Sequence, residues 1–157
     1  MTIIDSVKTK IISAFPGTGK TYFQTRNSDK KIVDLDSNNF TSGHDSGGKV
    51  LSEDFPLNYI QAIKEQIDKS DVLFISIHRE VRDMLINTGI DFTLVYPKSE
   101  LKEEYLERFR KRSDPEQFVE LISKNWYAIL KELESQKNCR HVVLGSGEYI
   151  TDVLTGL

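Results

Sequence analysis

Cysteine is nearly absent. Cys139 is the only one in 157 residues, which excludes an intramolecular disulfide and any metal centre built on several thiolates. Long apolar runs are missing too: no stretch approaches the roughly 20 apolar residues that span a bilayer, and no apolar leader opens the chain. With the scarcity of cysteine, this reads as a cytoplasmic protein without a membrane partner. Nor is there an excess of positive charge. The 21 Lys and Arg against 24 Asp and Glu give a formal net charge of −3, unlike the basic balance of domains with a broad nucleic-acid footprint. Nucleic acid is therefore a partner the composition does not favour, although a local basic patch stays open. Internal repeats and low-complexity tracts are also lacking. What is present is an ordinary globular composition, 38% hydrophobic and 29% charged, in a length suited to one domain, residues 1–157, with a single core.

Apolar runs alternate with helical patterns along the chain. "TKIISA" (9–14) reads as a buried strand, "KIVDLD" (31–36) as a second, "DVLFISI" (71–77) as a third covered on both sides, "DFTLVYP" (91–97) as a fourth and "HVVLG" (141–145) as a fifth. Between them, residues 55–70 place Tyr59, Ile60, Ile63 and Ile67 on one helical face, and "HREVRDMLINTG" is a helix closed by Gly89 as a left-handed cap. A charged helix is expected from about Ser99 to Arg112. "SDPEQ" then starts another, with Ser113 or Asp114 as cap and Pro115 in its first turn. That helix turns Phe118, Leu121, Ile122, Ile129 and Leu133 inward, and a short helix ends the chain. The polar stretch at 37–54 is long for a connection in a compact domain and reads as a functional or mobile loop. Strands separated by helices five times over predict a five-stranded parallel sheet with helices on both faces. Ligands of such sheets sit outside the carboxyl ends of the strands.

"AFPGTGKTYF" (14–23) falls at such an end. Its core, Pro16, Gly17, Thr18, Gly19, Lys20 and Thr21, lies between a strand and a helix, the context a phosphate-binding loop requires. Glycines let the backbone wrap a phosphate, and the amides of Gly19, Lys20 and Thr21 would face it from a helix start. Lys20 would reach the β- and γ-phosphates of ATP, and the Thr21 hydroxyl would ligate Mg²⁺. Ala14 stands where the usual signature begins with glycine. A methyl group fits there if φ is negative.

On this loop, the five strands and an arginine-bearing segment before the last strand, the chain resembles the small P-loop kinases of nucleotides and metabolites, the adenylate-kinase and shikimate-kinase-like group. It is also similar to short phage-type proteins labelled nucleotide kinases. The resemblance implies a P-loop NTPase fold with a short helical lid at about 99–117. It implies a transferase that binds ATP and Mg²⁺ and acts on a small acceptor, first of all a nucleoside or deoxynucleoside monophosphate.

The resemblance also assigns roles to three other clusters. Asp34 and Asp36, alternate residues at the end of the second strand, share a face. Asp34 takes the metal-side or base role and Asp36 the acceptor contact, unless both are solvated strand-end carboxylates. Arg79 falls near the acceptor-binding arginine of adenylate-kinase-like proteins, with Arg82 beside it as a second candidate. The strand before them departs from the pattern: Ile75, Ser76 and Ile77 offer no carboxylate. His78 reads as a surface or packing histidine rather than a catalyst. In "ERFRKRSD", Arg108 and Arg112 share a helix face with Arg110 roughly opposite. They would be the lid arginines that meet the transferring phosphoryl group. A solvated face paired with Glu103, Glu104 and Glu107 is the plain alternative. The sequence does not identify what recognises adenine; backbone groups near "GSGEY" (145–149) could provide it. Two other functions stay open: a nucleotide-binding regulatory or interaction protein with little turnover, and a kinase acting on a nucleic-acid hydroxyl.

Overall fold

A computed structural model describes residues 9–35, 41–45, 48–51 and 55–154 of the chain. The elements run β1 (Lys10–Ala14), α1 (Lys20–Arg26), β2 (Ile32–Asp34), β3 (Thr41–Asp45), β4 (Gly48–Leu51), α2 (Leu57–Gln66), β5 (Val72–Ile75) and α3 (Arg79–Asn87). They continue with β6 (Thr93–Pro97), a 3₁₀ turn at Ser99–Leu101, α4 (Lys102–Lys111), α5 (Glu116–Glu134), β7 (Arg140–Leu144) and α6 (Ile150–Val153).

Five strands form one all-parallel sheet in the order β2-β5-β1-β6-β7, so the strand before the glycine loop lies in the middle. Alternation along the strands divides the apolar side chains between two faces. Ile11, Leu73, Ile75, Leu94 and Tyr96 turn to the larger core with residues of α2, α3, α4 and α5. Ile12, Ala14, Val72, Phe74, Val95 and Leu144 turn to the smaller one, closed by Phe23 of α1 and Ile150 of α6. The strands are short apolar runs because both of their faces are covered.

Two stretches differ from the sequence expectation. Part of the polar stretch at 37–54 forms an antiparallel pair, β3 with β4, outside the main sheet. The segment read as a lid is a helix packed into the larger core: Tyr105, Leu106 and Phe109 of α4 are buried, and Tyr105 and Phe109 lie edge-on to Phe15 and Phe118 respectively. On α5 the inward residues are Val119, Ile122, Trp126, Leu130 and Leu133, at helical spacing, whereas Leu121 is exposed. Among the described residues no helix is long and apolar enough to cross a membrane.

Candidate functional site

The glycine loop leaves the carboxyl end of β1 and is fixed by its own backbone. Ala14 is buried and pairs with Val95 without a positive φ, so the missing glycine costs nothing at this strand end. The Phe15 amide donates to the Val95 carbonyl at 2.9 Å, and the Thr18 hydroxyl donates back to the Phe15 carbonyl at 2.7 Å. Gly17 (φ 82°) and Gly19 (φ 94°) both take the left-handed region, where a side chain is strained. Contact requires glycine as well: a methyl group at Gly17 would come within 2.9 Å of the Phe109 ring, and one at Gly19 within 2.9 Å of the Tyr149 ring. Gly19 is the cap of α1. No side chain caps that helix and no acidic residue lies in its first turn, so its opening amides face outward with the positive end of the helix dipole. Lys20 and Thr21 stand in that turn, the first half-buried and the second exposed.

Above the loop sits Arg108 of α4. Its Nη1 donates to the Gly17 carbonyl at 2.7 Å and its Nη2 to Glu104 Oε2 at 3.0 Å. The guanidinium lies between two rings, 4.3 Å from the Tyr105 centroid and 4.1 Å from that of Tyr149. Glu104 also accepts from the Ser146 hydroxyl at 2.7 Å and the Gly147 amide at 2.8 Å. The Gly147 amide foremost, then Ser146 and Arg108, hold the Glu104 carboxyl below its ordinary value against the opposing effect of burial. Burial pushes the Tyr105 phenol up to about 12, with Arg108 acting against it. One acid thus ties α4 to the turn after β7, and one arginine ties α4 to the loop. In the "GSGEY" segment, the Gly147 amide is taken by Glu104 and the Gly145 amide by Glu148 at 2.6 Å. The Tyr149 amide is taken by Asp152 in a capping box that starts α6.

The remaining candidates are dispersed. Asp34 ends β2, exposed, with Phe74 as its register partner on β5. Asp36 lies outside the described residues. Arg79 is exposed at the start of α3, 3.7 Å from Asp83. Arg82 is not a surface ligand: it is 1% exposed, and its guanidinium donates to the Ile77 carbonyl at 3.0 Å, to Gln136 at 2.5 Å and to Glu132. With Nε and both terminal nitrogens engaged, it serves as a tie between α3 and the end of α5. Arg112 is half-exposed and bonded to Asp114 at 2.7 Å, so the pair expected on one lid face splits, and only Arg108 reaches the loop.

At the end of β5, Ser76 is held from three sides. Its carbonyl accepts from the buried Ser13 hydroxyl of β1 at 2.8 Å, and its amide donates to the Tyr59 hydroxyl at 2.9 Å. Tyr59 in turn donates to the Leu35 carbonyl at 2.5 Å. The Ser76 hydroxyl meets His78 Nδ1 at 2.8 Å. Burial lowers the His78 pKa below its ordinary 6.5; Glu80 opposes this and Arg82 adds to it.

Sequence reasoning did not single out Tyr149 or Tyr105, and it took Glu104 only as a solvated partner. The i, i+4 spacing of Glu104 and Arg108 was the signal available for that pair. Among the described residues no three His, Cys, Asp or Glu side chains converge as a metal site. Compared with models of protein families and with curated proteins, the chain matches none.

Proposed function

We propose that the protein is a P-loop phosphotransferase that moves the γ-phosphoryl group of ATP to a small acceptor, with Arg108 of the core-packed helix α4 beside the transferring group. The observation that carries the reading is the loop itself. Left-handed Gly17 and Gly19 lead into an uncapped, acid-free helix start bearing Lys20 and Thr21, at the carboxyl end of the middle strand. Such a start fits the phosphates of ATP. Mg²⁺ would be held mainly by those phosphates, with the Thr21 hydroxyl as a ligand and Asp34 on the side of its water shell; the ion neutralises charge on the phosphates. Arg108 supports the same reading, since it is a fixed cation one hydrogen bond from the loop.

A nucleotide-binding protein with little turnover is favoured by one observation: Ile75, Ser76 and Ile77 at the end of β5 bring no carboxylate to the phosphates. Steady-state ATP consumption with a panel of acceptors separates the two. The expected result is acceptor-dependent consumption that Lys20→Ala abolishes with the fold retained. ATP–Mg²⁺ should also raise the Tm of the parent chain. Full transfer by Lys20→Ala would place the chemistry elsewhere, and ATP binding without acceptor-dependent turnover would select the regulator.

A further inference from the structure

We infer that the phosphoryl acceptor is an alcohol, and that His78, oriented by Ser76, is the base that takes the proton from its hydroxyl. This rests on the kinase reading above and names the substrate class of that same site.

Position comes first. His78 and Ser76 are two apart in an extended segment and so face the same way, which brings His78 Nδ1 to the Ser76 hydroxyl at 2.8 Å. Ser76 itself is locked to β1 through Ser13, and to α2 and β2 through Tyr59 and Leu35. The imidazole is therefore mounted at the carboxyl ends of β1, β2 and β5, beside the strand that feeds the glycine loop and on the side of Asp34. Phe55 packs edge-on to the ring, with centroids 5.2 Å apart, and fixes its second direction. Both Ser76 and His78 are half-buried rather than sealed. Among the described residues nothing bonds to Nε2, the nitrogen opposite the one that Ser76 holds.

The chemistry of the surroundings then discriminates between acceptors. A monophosphate presents an oxygen that is already largely ionised at neutral pH; it needs cations to hold it and no base. An alcohol needs the reverse. Of the two arginines that follow β5, Arg82 is buried with all three nitrogens engaged, and Arg79 lies at the surface beside Asp83. Among the described residues, what this end presents instead is a serine hydroxyl, an imidazole whose pKa burial lowers, and the Asp34 carboxylate. That is a set for removing a proton.

With Nδ1–H donating to Ser76 Oγ, Nε2 carries the free lone pair. As the acceptor oxygen bonds to the γ-phosphorus, its O–H bond breaks and the proton passes to Nε2. The bond from the γ-phosphorus to the β,γ-bridging oxygen breaks, and ADP leaves with that electron pair. The imidazolium later releases its proton to water.

Two measurements test this. In ¹⁵N spectra of the nucleotide-free protein, His78 should be neutral at pH 7.5 with the proton on Nδ1; a proton on Nε2 would overturn the assignment. In transfer assays, nucleosides, polyols and an oligonucleotide with a free 5′ hydroxyl distinguish the sources of the alcohol, against nucleoside monophosphates as the phosphate arm. His78→Gln should lower kcat for the alcohol by roughly a hundredfold and leave the KM for ATP within about twofold. Ser76→Ala should give a smaller loss in the same sense, and unchanged Tm values show that both variants fold. Lys20-dependent transfer confined to monophosphates, or alcohol transfer that His78→Gln leaves intact, overturns the inference while the kinase reading stands. No Lys20-dependent transfer to any acceptor overturns both.

Discussion

Arg82 on α3 and Arg108 on α4 are both largely withdrawn from solvent, at 1% and 13% side-chain exposure, and both pair with a glutamate. They differ in what completes them. Arg82 has each nitrogen bonded to a group of the fold, namely the Ile77 carbonyl, Gln136 and Glu132. Arg108 lies flat between two tyrosine rings and directs one nitrogen to the carbonyl of a loop glycine. A guanidinium has five N–H donors in a rigid fork, and Arg108 keeps some of them beyond its two bonds. A buried arginine with all three nitrogens bonded to groups of the fold belongs to the architecture. On the kinase reading, one stacked between two rings over the glycine loop is placed to meet a phosphate held there.

The largest effect should come from Arg108→Ala. If this cation meets the transferring phosphoryl group, turnover falls by about a thousandfold or more. Lysine restores little of it, lacking the planar fork that stacks and holds two oxygens. Loss of the charge-assisted tie to Gly17 and Glu104 lowers stability by about 2 kcal/mol. Arg112→Ala, on a half-exposed side chain bonded to Asp114, should change stability by less than about 0.5 kcal/mol and turnover little. Parallel measurements of Tm, ATP affinity and kcat check this. Equal losses in both variants would return Arg112 to the site.

Arg82→Ala should show the opposite pattern. Removing it leaves Gln136 and the Ile77 carbonyl without their donor and opens a cavity between α3 and α5, at a cost of about 3 kcal/mol. For a chain of this length that lowers Tm by roughly 10 °C. Below that Tm, kcat per folded molecule should match the parent. A kcat loss with Tm unchanged would make Arg82 a ligand after all.

The same two arginines mark what the sequence could and could not tell. The five main strands were legible because each is a short apolar run bounded by turn residues, a local signal. The loop was legible for the same reason. The hairpin of β3 and β4 was not, because "TSGHD" and "GKVL" offer little of the alternation that marks a strand. On α5 the expected inner face included Leu121 and omitted Trp126; the buried series 119, 122, 126, 130 and 133 fixes the phase instead. Whether Arg79 or Arg82 turns inward depends on that kind of phase, set by contact with α5 some 50 residues on. The bond from Arg108 to Gly17 spans 91 residues. No local pattern encodes it.

Gly19→Ala addresses the loop under Arg108. The substitution places a methyl group at φ 94° and within 2.9 Å of the Tyr149 ring. The backbone strain alone costs about 1–2 kcal/mol. Relief requires Tyr149 to move, which takes one of the two rings from Arg108, so stability and ATP affinity should fall together. Ala14→Gly, by contrast, restores the usual signature at a buried strand residue and should lower stability by about 0.5–1 kcal/mol without improving ATP affinity. Calorimetry and nucleotide titration on both variants separate a loop shaped by contact from one defined by its motif.

The last effect concerns the acid bonded to Arg108. Glu104 gathers the Gly147 amide, the Ser146 hydroxyl and the Arg108 guanidinium onto one carboxylate, and these hold its pKa below the ordinary 4.5 in the folded chain. The folded state therefore binds a proton less readily than the unfolded one. Its contribution to stability is complete above about pH 4.5 and is lost as the pH falls through the lowered folded value. Glu104→Gln keeps the shape and removes the charge. It should cost about 1 kcal/mol at neutral pH, since hydrogen bonds to an ionised acceptor are stronger than those to a neutral one. The gap between parent and variant should then close as both are titrated downward from pH 5, measured by denaturant midpoints at each pH. A gap that stays constant through the acid range would mean that Glu104 acts by packing and not by charge. The link from α4 to the turn after β7 would then be steric, and Arg108 would owe its place over the loop to the two tyrosines and the Gly17 carbonyl.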